Sequence, residues 1–206
     1  MKILPLAAAL LALLWLHPAV AAPEAKGTPD AKGTIDTLDS ALLDVMKNAD
    51  KLGYKGRYQK LQPMLEQAFD LPLMARISVG PQWATLTADQ QAKVVQAFTA
   101  LSVATYAARF DGYGGEQFQI VGEAPTNGGD QLVNTKMLRP NDDAVDLNYR
   151  LRKTGDDWRI IDVYLSGTIS QLANYRSEFA TTLRTKGADG LVELINQKVA
   201  DLEPKS

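Results

Sequence analysis

Cysteine is missing from this chain of 206 residues, and histidine occurs once, at His17. Those two shortages remove whole chemistries. Disulfide frameworks, thiolate or imidazole zinc sites, Cys-His and Ser-His-Asp catalysis and imidazole acid–base work are all excluded once His17 is removed with a leader. An excess of one charge is also missing, since 22 basic side chains stand against 24 acidic ones for a formal net charge of -2. That balance displays neither a nucleic-acid footprint nor a strongly basic membrane patch. No serine nucleophile elbow and no internal repeat is present, and no residue set calls for a metal or a cofactor. An enzyme made from what remains has only carboxylate, lysine, tyrosine or serine groups to use. The hydrophobic fraction of 46% is that of an ordinary globular chain.

What is present begins with a leader. Met1-Lys2, an apolar run from Ile3 to Leu16, and His17-Pro18-Ala19-Val20-Ala21-Ala22 have the form of a secretory signal peptide. The run is shorter than the roughly 20 apolar residues that span a bilayer. Ala19 and Ala21 are the small pair for cleavage after Ala21, whereas a cut after Ala22 would leave Pro23 first. No cysteine follows for a lipid anchor. The expected division is a signal peptide over 1–21, a flexible tether over 22–33 rich in Ala, Pro, Lys, Gly and Thr, and one domain over 34–203. Export to the periplasm as a soluble protein follows from that leader.

Within the domain the apolar period is first helical. Leu38, Leu42, Val45, Met46 and Ala49 recur at three and four. A turn at 53–56 precedes a run carrying Tyr58, Leu61, Leu65, Ala68 and Phe69, in which Pro63 predicts a kink or a late start. Asp70 is placed to cap a short helix opening with Leu71-Pro72, whose buried face is Met74 and Ile77 and whose end is Gly80-Pro81. Thr87 and Gln90 form a capping-box pattern for a long helix reaching about Phe110, with Val94, Phe98, Leu101 and Thr105 as its stripe and Val95 and Tyr106 beside it. The glycines at 112, 114 and 115 follow a helix and precede a strand, the reverse of a phosphate-binding turn.

The period then becomes two. Strands are predicted over 117–122, 131–139, 145–153 and 158–165, with turns at Asn127–Asp130 and Thr154–Asp157. Val145, Leu147, Tyr149 and Leu151 alternate with Asp146, Asn148, Arg150 and Arg152, giving one buried face and one wet face. Helical spacing returns with Ile169, Leu172, Tyr175, Phe179 and Leu183, breaks at Gly187, and resumes with Leu191, Leu194, Ile195, Val199 and Leu202. The fold class is therefore α+β, with helices packed on a four-stranded antiparallel meander.

Few residues invite chemistry. Asp142-Asp143 and Asp156-Asp157 fall in predicted hairpin turns, where aspartate serves local hydrogen bonding. Asp162 lies within an apolar strand, with ion pairing to Arg150 or Arg152, satisfaction of backbone groups at a sheet end, and catalysis all open to it. The helical stripes and the sheet face offer more large apolar side chains than a small sheet must cover. A closed core and a hydrophobic ligand chamber are the two ways to use them.

Trp158-Arg-Ile-Ile-Asp162-Val163, then Gly167, Asn174-Tyr175-Arg176 with Phe179, and Leu183 through Gly190-Leu191 form a pattern that resembles the MlaC, or toluene-tolerance, family. The likeness extends back through Tyr149, Val133-Asn134-Thr135 and the Phe98–Tyr106 region, over roughly residues 35–200. Gly53-Tyr54-Lys55-Gly56-Arg57-Tyr58, with Gly80-Pro81-Gln82-Trp83 and Leu86-Thr87, is similar to the hopanoid-associated HpnM branch. Ser166 stands where the family commonly has an acidic residue, so no role of that acid is carried over.

The resemblance implies a periplasmic lipid carrier without catalysis, a cavity between helices and sheet, and a phospholipid or hopanoid ligand. Its partners would be the substrate-binding subunit of an inner-membrane ABC transporter and an outer-membrane lipoprotein complex. Expected lining residues, taken from the apolar faces, are Met74, Ile77, Val94, Phe98, Leu101, Tyr106, Val133, Leu147, Tyr149, Ile161, Val163 and Leu165. Arg109, Arg150 and Arg152 are the headgroup candidates, because an arginine fork binds two phosphate oxygens. A small NTF2-like enzyme and a ligand-free interaction module are the alternatives, and the helices after the last strand speak against the enzyme. Protein recovered from the periplasm is expected to begin at Ala22. N-terminal sequencing checks this, and an intact leader in a membrane fraction would contradict it.

Overall fold

The computed structural model describes residues 30–204, so the leader and residues 22–29 of the expected tether lie outside the described residues. The chain runs through α1 (Ala31–Lys47), α2 (Ala49–Ala68), α3 (Leu71–Val79), α4 (Ala88–Arg109), β1 (Gln117–Pro125), β2 (Gln131–Arg139), β3 (Asp142–Thr154), β4 (Asp157–Leu165), β5 (Ile169–Ser170) and α5 (Gln171–Leu202). Short 3₁₀ turns occupy Gly80–Thr85 and Asn127–Gly129. All strands pair antiparallel in chain order. The sheet thus has five strands and not four. The fifth is two residues that pair with Tyr164 and Leu165, too short to leave a periodic signal in the sequence.

Local chemistry accounts for most boundaries. Asp30 accepts from the Gly33 N–H at 2.8 Å and starts α1 inside the stretch expected as tether, so residues 31–33 are helical. Asp70 accepts from the Leu73 N–H at 3.1 Å to open α3, with Pro72 in its first turn. The Thr87–Gln90 capping box is closed in both directions, at 3.0 and 3.3 Å. Pro63 neither ends nor delays α2, and the departure from helical backbone falls on Gly53 at φ 59°. Gly187, at φ 70°, breaks α5 at the expected position. The hairpin between β2 and β3 turns on Pro140 and Asn141, so Asp142 and Asp143 belong to β3, and Asp142 pairs with Arg139 at 3.3 Å.

Helix α4 holds the helical layer together, packing against α2, α3 and α5. Arg57 ties α2 to its far end, donating to the carbonyls of Ala107 at 2.9 Å and Ala49 at 3.3 Å. Beneath the helices, β3 and β4 slip in register between Arg150 and Leu151, a bulge that pairs Leu151 with Ile160. The Ile160 carbonyl accepts the Asp70 N–H at 2.9 Å, anchoring the corner between α2 and α3 to the sheet.

One buried group works against the core. Asp39 sits on α1 between Leu38 and Leu42, is 6% exposed, and leaves Oδ1 without a partner. Burial, reinforced by Asp36, pushes its carboxyl up to about 7. The folded state therefore holds a proton that the unfolded chain releases near the ordinary carboxylate range. Stability falls as pH rises from about 4 to about 7, by on the order of 4 kcal/mol from this group, and is flat above. Asp39→Asn is expected to raise the urea midpoint at about pH 8 and leave it nearly unchanged at about pH 4. Equal effects at both pH values would contradict a buried, protonated Asp39.

Candidate functional site

Between α3, α4, α5 and the inner face of the sheet the side chains leave a chamber of about 310 Å³. At about 30 Å³ per water that is room for roughly ten waters. Packed interiors hold few voids larger than a single water. The space is a built feature.

Spacing explains the walls. Phe98, Ser102, Thr105, Tyr106 and Arg109 fall on one stripe of α4, and all line the chamber. Val145, Leu147 and Tyr149 alternate along β3 onto the same face. The register sets Tyr149 opposite Val163 and Leu147 opposite Leu165, so β4 extends that face. Leu71 and Met74 of α3 and Leu172 and Tyr175 of α5 complete it. Aromatic rings brace the walls: Tyr175 packs edge-on against Phe98 at 6.0 Å and stacks on Phe179 at 5.1 Å. Phe69 meets Tyr106 edge-on at 5.7 Å, and Phe110 stacks on Tyr106 at 5.4 Å.

Burial gives the chamber a direction. Along β3, Val145 is half-buried, Leu147 is 8% exposed and Tyr149 is 1% exposed. The floor is therefore at Tyr149, with Phe69, Leu71 and Leu172 buried near it. The mouth lies at the other end, where Arg109 and Ser166 are exposed and Gln171 is half-buried. Polar groups in the walls are mostly occupied. Ser102 donates to the Phe98 carbonyl at 2.9 Å and Thr105 to the Leu101 carbonyl at 2.7 Å. Burial pushes the Tyr106 and Tyr149 phenols far up, so both stay neutral. The floor is an apolar container with two phenols and no charge.

Of the expected lining residues, Met74, Phe98, Tyr106, Leu147, Tyr149, Val163 and Leu165 reach the chamber. Val94, Leu101 and Val133 do not; they are buried in the core, turned toward neighbouring elements. Ile77 does not either, because it is half-buried on the outer side of α3 beside Trp83. Ile161 falls at the β4 bulge, where the slip turns Ile160 inward opposite Leu151 and breaks the simple alternation. Sequence reasoning missed Leu65, Phe69, Leu71, Ser102, Thr105, Phe110, Met137, Val145, Ser166, Gln171, Leu172 and Tyr175. Tyr175 was recognisable on its helical stripe, but its proximity to Phe98 depends on how α5 returns over α4.

The headgroup candidates divide. Arg109 lines the mouth. Arg150 and Arg152 alternate onto the opposite face of β3 and hold Asp130, which is fully buried. Arg150 Nε lies 2.7 Å from Asp130 Oδ2, and Arg152 reaches Oδ1 at 2.7 Å and Oδ2 at 2.9 Å. These hydrogen bonds, Arg152 first, hold the Asp130 carboxyl below its usual range against the opposing effect of burial. Neither arginine faces the chamber. Asp162 takes the backbone role: it accepts from the N–H groups of Val163 at 2.8 Å and Leu172 at 3.3 Å and from the Ser170 hydroxyl at 2.6 Å. Among the described residues no cluster of three His, Cys, Asp or Glu side chains is arranged to hold a metal ion.

The family model described as MlaC protein matches residues 36–197. The fold is similar to that of the phospholipid-binding protein from Ralstonia solanacearum, solved in complex with a phospholipid. The TM-score is 0.75 at 23% identity, covering 85% of this chain and 100% of that one.

Because Asp130 serves the sheet and not the chamber, its loss separates stability from binding. Asp130→Asn is expected to cost about 2 kcal/mol, as charge-assisted hydrogen bonds are lost, without changing what the chamber holds. Chemical denaturation and mass spectrometry of bound molecules check the two halves. A change in bound molecules at unchanged stability would return Arg150 and Arg152 to the binding site.

Proposed function

The chain belongs to the MlaC family, and from that premise we propose that it is a soluble carrier of phospholipid whose acyl chain lies in the chamber. The observation that carries this reading is the open apolar chamber with a single arginine, Arg109, at its mouth. Burying one methylene is worth about 0.8 kcal/mol, so a chain of about 14 methylenes gains roughly 11 kcal/mol against water. A bilayer offers the same burial. The carrier therefore works near balance with the membrane and lowers the barrier to crossing water, while direction has to come from a partner that consumes energy.

In this reading Met74, Phe98, Tyr106, Leu147, Tyr149, Val163 and Leu165 touch the acyl chain. Arg109 meets the headgroup phosphate, which would otherwise lose its partners on entering the mouth. The periplasm is the proposed compartment, reached by the 1–21 leader, and an inner-membrane ABC transporter and an outer-membrane lipoprotein complex are the proposed partners. Closer kinship with the hopanoid-associated HpnM branch belongs to the same proposal, carried by residues 53–58, 80–83 and 86–87. Neither alternative, the NTF2-like enzyme or the ligand-free module, uses a chamber of this composition so directly.

Purified protein is expected to release phospholipid on solvent extraction, read by mass spectrometry. Phe98→Ala is expected to lower that lipid content and to destabilise the lipid-free protein by less than the roughly 3–5 kcal/mol of a fully packed phenylalanine. Arg109→Ala is expected to keep the fold and lose phospholipid. A core-sized loss of stability with unchanged lipid in Phe98→Ala would make the chamber a mere packing defect. Hopanoid in place of phospholipid, undiminished in Arg109→Ala, would remove the phosphate from the reading.

A further inference from the structure

The formal charge of -2 is unevenly spread. From Leu71 to Leu86 the chain carries one charged side chain, Arg76. From Gln171 to Lys186 it carries Arg176, Arg184 and Lys186 against Glu178 alone. These two stretches hold four basic groups and one acidic group, so the acidic excess belongs to the rest of the molecule. Glu178 is itself engaged by Lys198 at 2.9 Å. The overall balance conceals a basic region.

The packing of α3 against α5 brings the two stretches together. Arg76 and Arg176 line one open groove, together with Ile77, Pro81 and Trp83. Gly80 makes room for the second guanidinium: a Cβ there would stand 3.1 Å from Arg176 Nε, and its φ of 75° suits glycine. Among the described residues neither Arg76 nor Arg176 has a carboxylate within ion-pair distance. Both are exposed, Pro81 is exposed, and the Trp83 ring is half-buried beside them. The groove is on the outer side of the two helices whose inner sides, at Met74 and Tyr175, line the chamber.

Free guanidinium forks bind phosphate oxygens in pairs. An indole beside them has the amphipathic character of side chains that rest at headgroup level. We propose that this groove is a docking surface for an anionic bilayer, with Arg76 and Arg176 taking lipid phosphates and Trp83 inserted among the headgroups. An acidic protein would engage the same arginines and is the competing occupant; the half-buried indole at the level of the guanidinium groups is what favours the headgroup layer of a bilayer. Docking here would bring the walls of the chamber close to the membrane surface without involving the chamber residues themselves.

Vesicle flotation of the protein as recovered without its leader, beginning at Ala22, tests this, with vesicles of phosphatidylcholine alone and of phosphatidylcholine mixed with phosphatidylglycerol. The protein is expected to float with the anionic vesicles only, and less so as salt is added. Each basic residue near an anionic surface is worth about fivefold in partitioning, so Arg76→Gln with Arg176→Gln is expected to weaken it about 25-fold. The double variant should keep its extracted lipid, because neither arginine lines the chamber. If the double variant does not fold by circular dichroism, Arg76→Glu alone carries the test, with a loss of about fivefold or more. Equal flotation of the variants and the parent overturns the proposal. So does failure of the parent to float with anionic vesicles, which would turn the groove over to an acidic protein. Absence of extractable lipid from the parent would count against the carrier reading and leave the flotation result standing.

Discussion

A single buried carboxylate, Asp162, determines where the last wall of the chamber stands. It accepts hydrogen bonds from Val163 in its own strand, from the Ser170 hydroxyl, and from the N–H of Leu172 in the first turn of α5. The first turn of a helix has N–H groups with no partner inside the helix, and a carboxylate there answers both the missing bond and the positive end of the dipole. The strand and the helix that follows it are thereby joined at one point. Leu172 and Tyr175 face the sheet as a result. The turn between them is held in a costly conformation, with Ser166 at φ 51°, and is fastened where Asn148 donates to the Gly167 carbonyl at 3.2 Å.

The two faces of the sheet have separate duties. Odd-numbered positions of β3 from Val145 to Tyr149 shape an apolar space, while Arg150 and Arg152 on the other face neutralise Asp130. A buried aspartate at the end of the 3₁₀ turn would be expensive alone. Two half-exposed arginines make it tolerable while their own charge remains partly in water. The strong electrostatics of the molecule therefore sit outside the chamber, whose floor holds only neutral phenols. An apolar molecule meets no desolvated charge there.

Asp39 shows the opposite case. It has no cation beside it, and burial favours the proton over the charge. It lies in α1 and does not itself line the chamber, but it is near enough to Tyr106 and Tyr149 to help keep both phenols neutral. Its cost is an intrinsic feature of the core, and no binding role is needed to describe it.

Much of this protein was legible in the sequence because the signals are local. Helix starts at Asp70 and Thr87, the break at Gly187, and the alternation of β3 depend on neighbours within a few residues. Seven of the residues expected from apolar periodicity lie at the chamber wall, since a face of a helix or strand is a property of spacing. What spacing could not reveal is which buried face meets packing and which meets empty space. Phe98 and Leu101 lie on the same helix and read alike, yet only Phe98 reaches the chamber. Ile161 is misjudged for a related reason, because a bulge depends on the partner strand and turns its neighbour Ile160 inward. Arg150 and Arg152 read as partners for Asp162 or for a headgroup, whereas their partner in the fold is Asp130, about twenty residues away. Local spacing carries the order of the longer elements and the faces they bury. Where those faces fail to touch emerges only from the packing of the whole chain, because a void is a property of several distant segments at once.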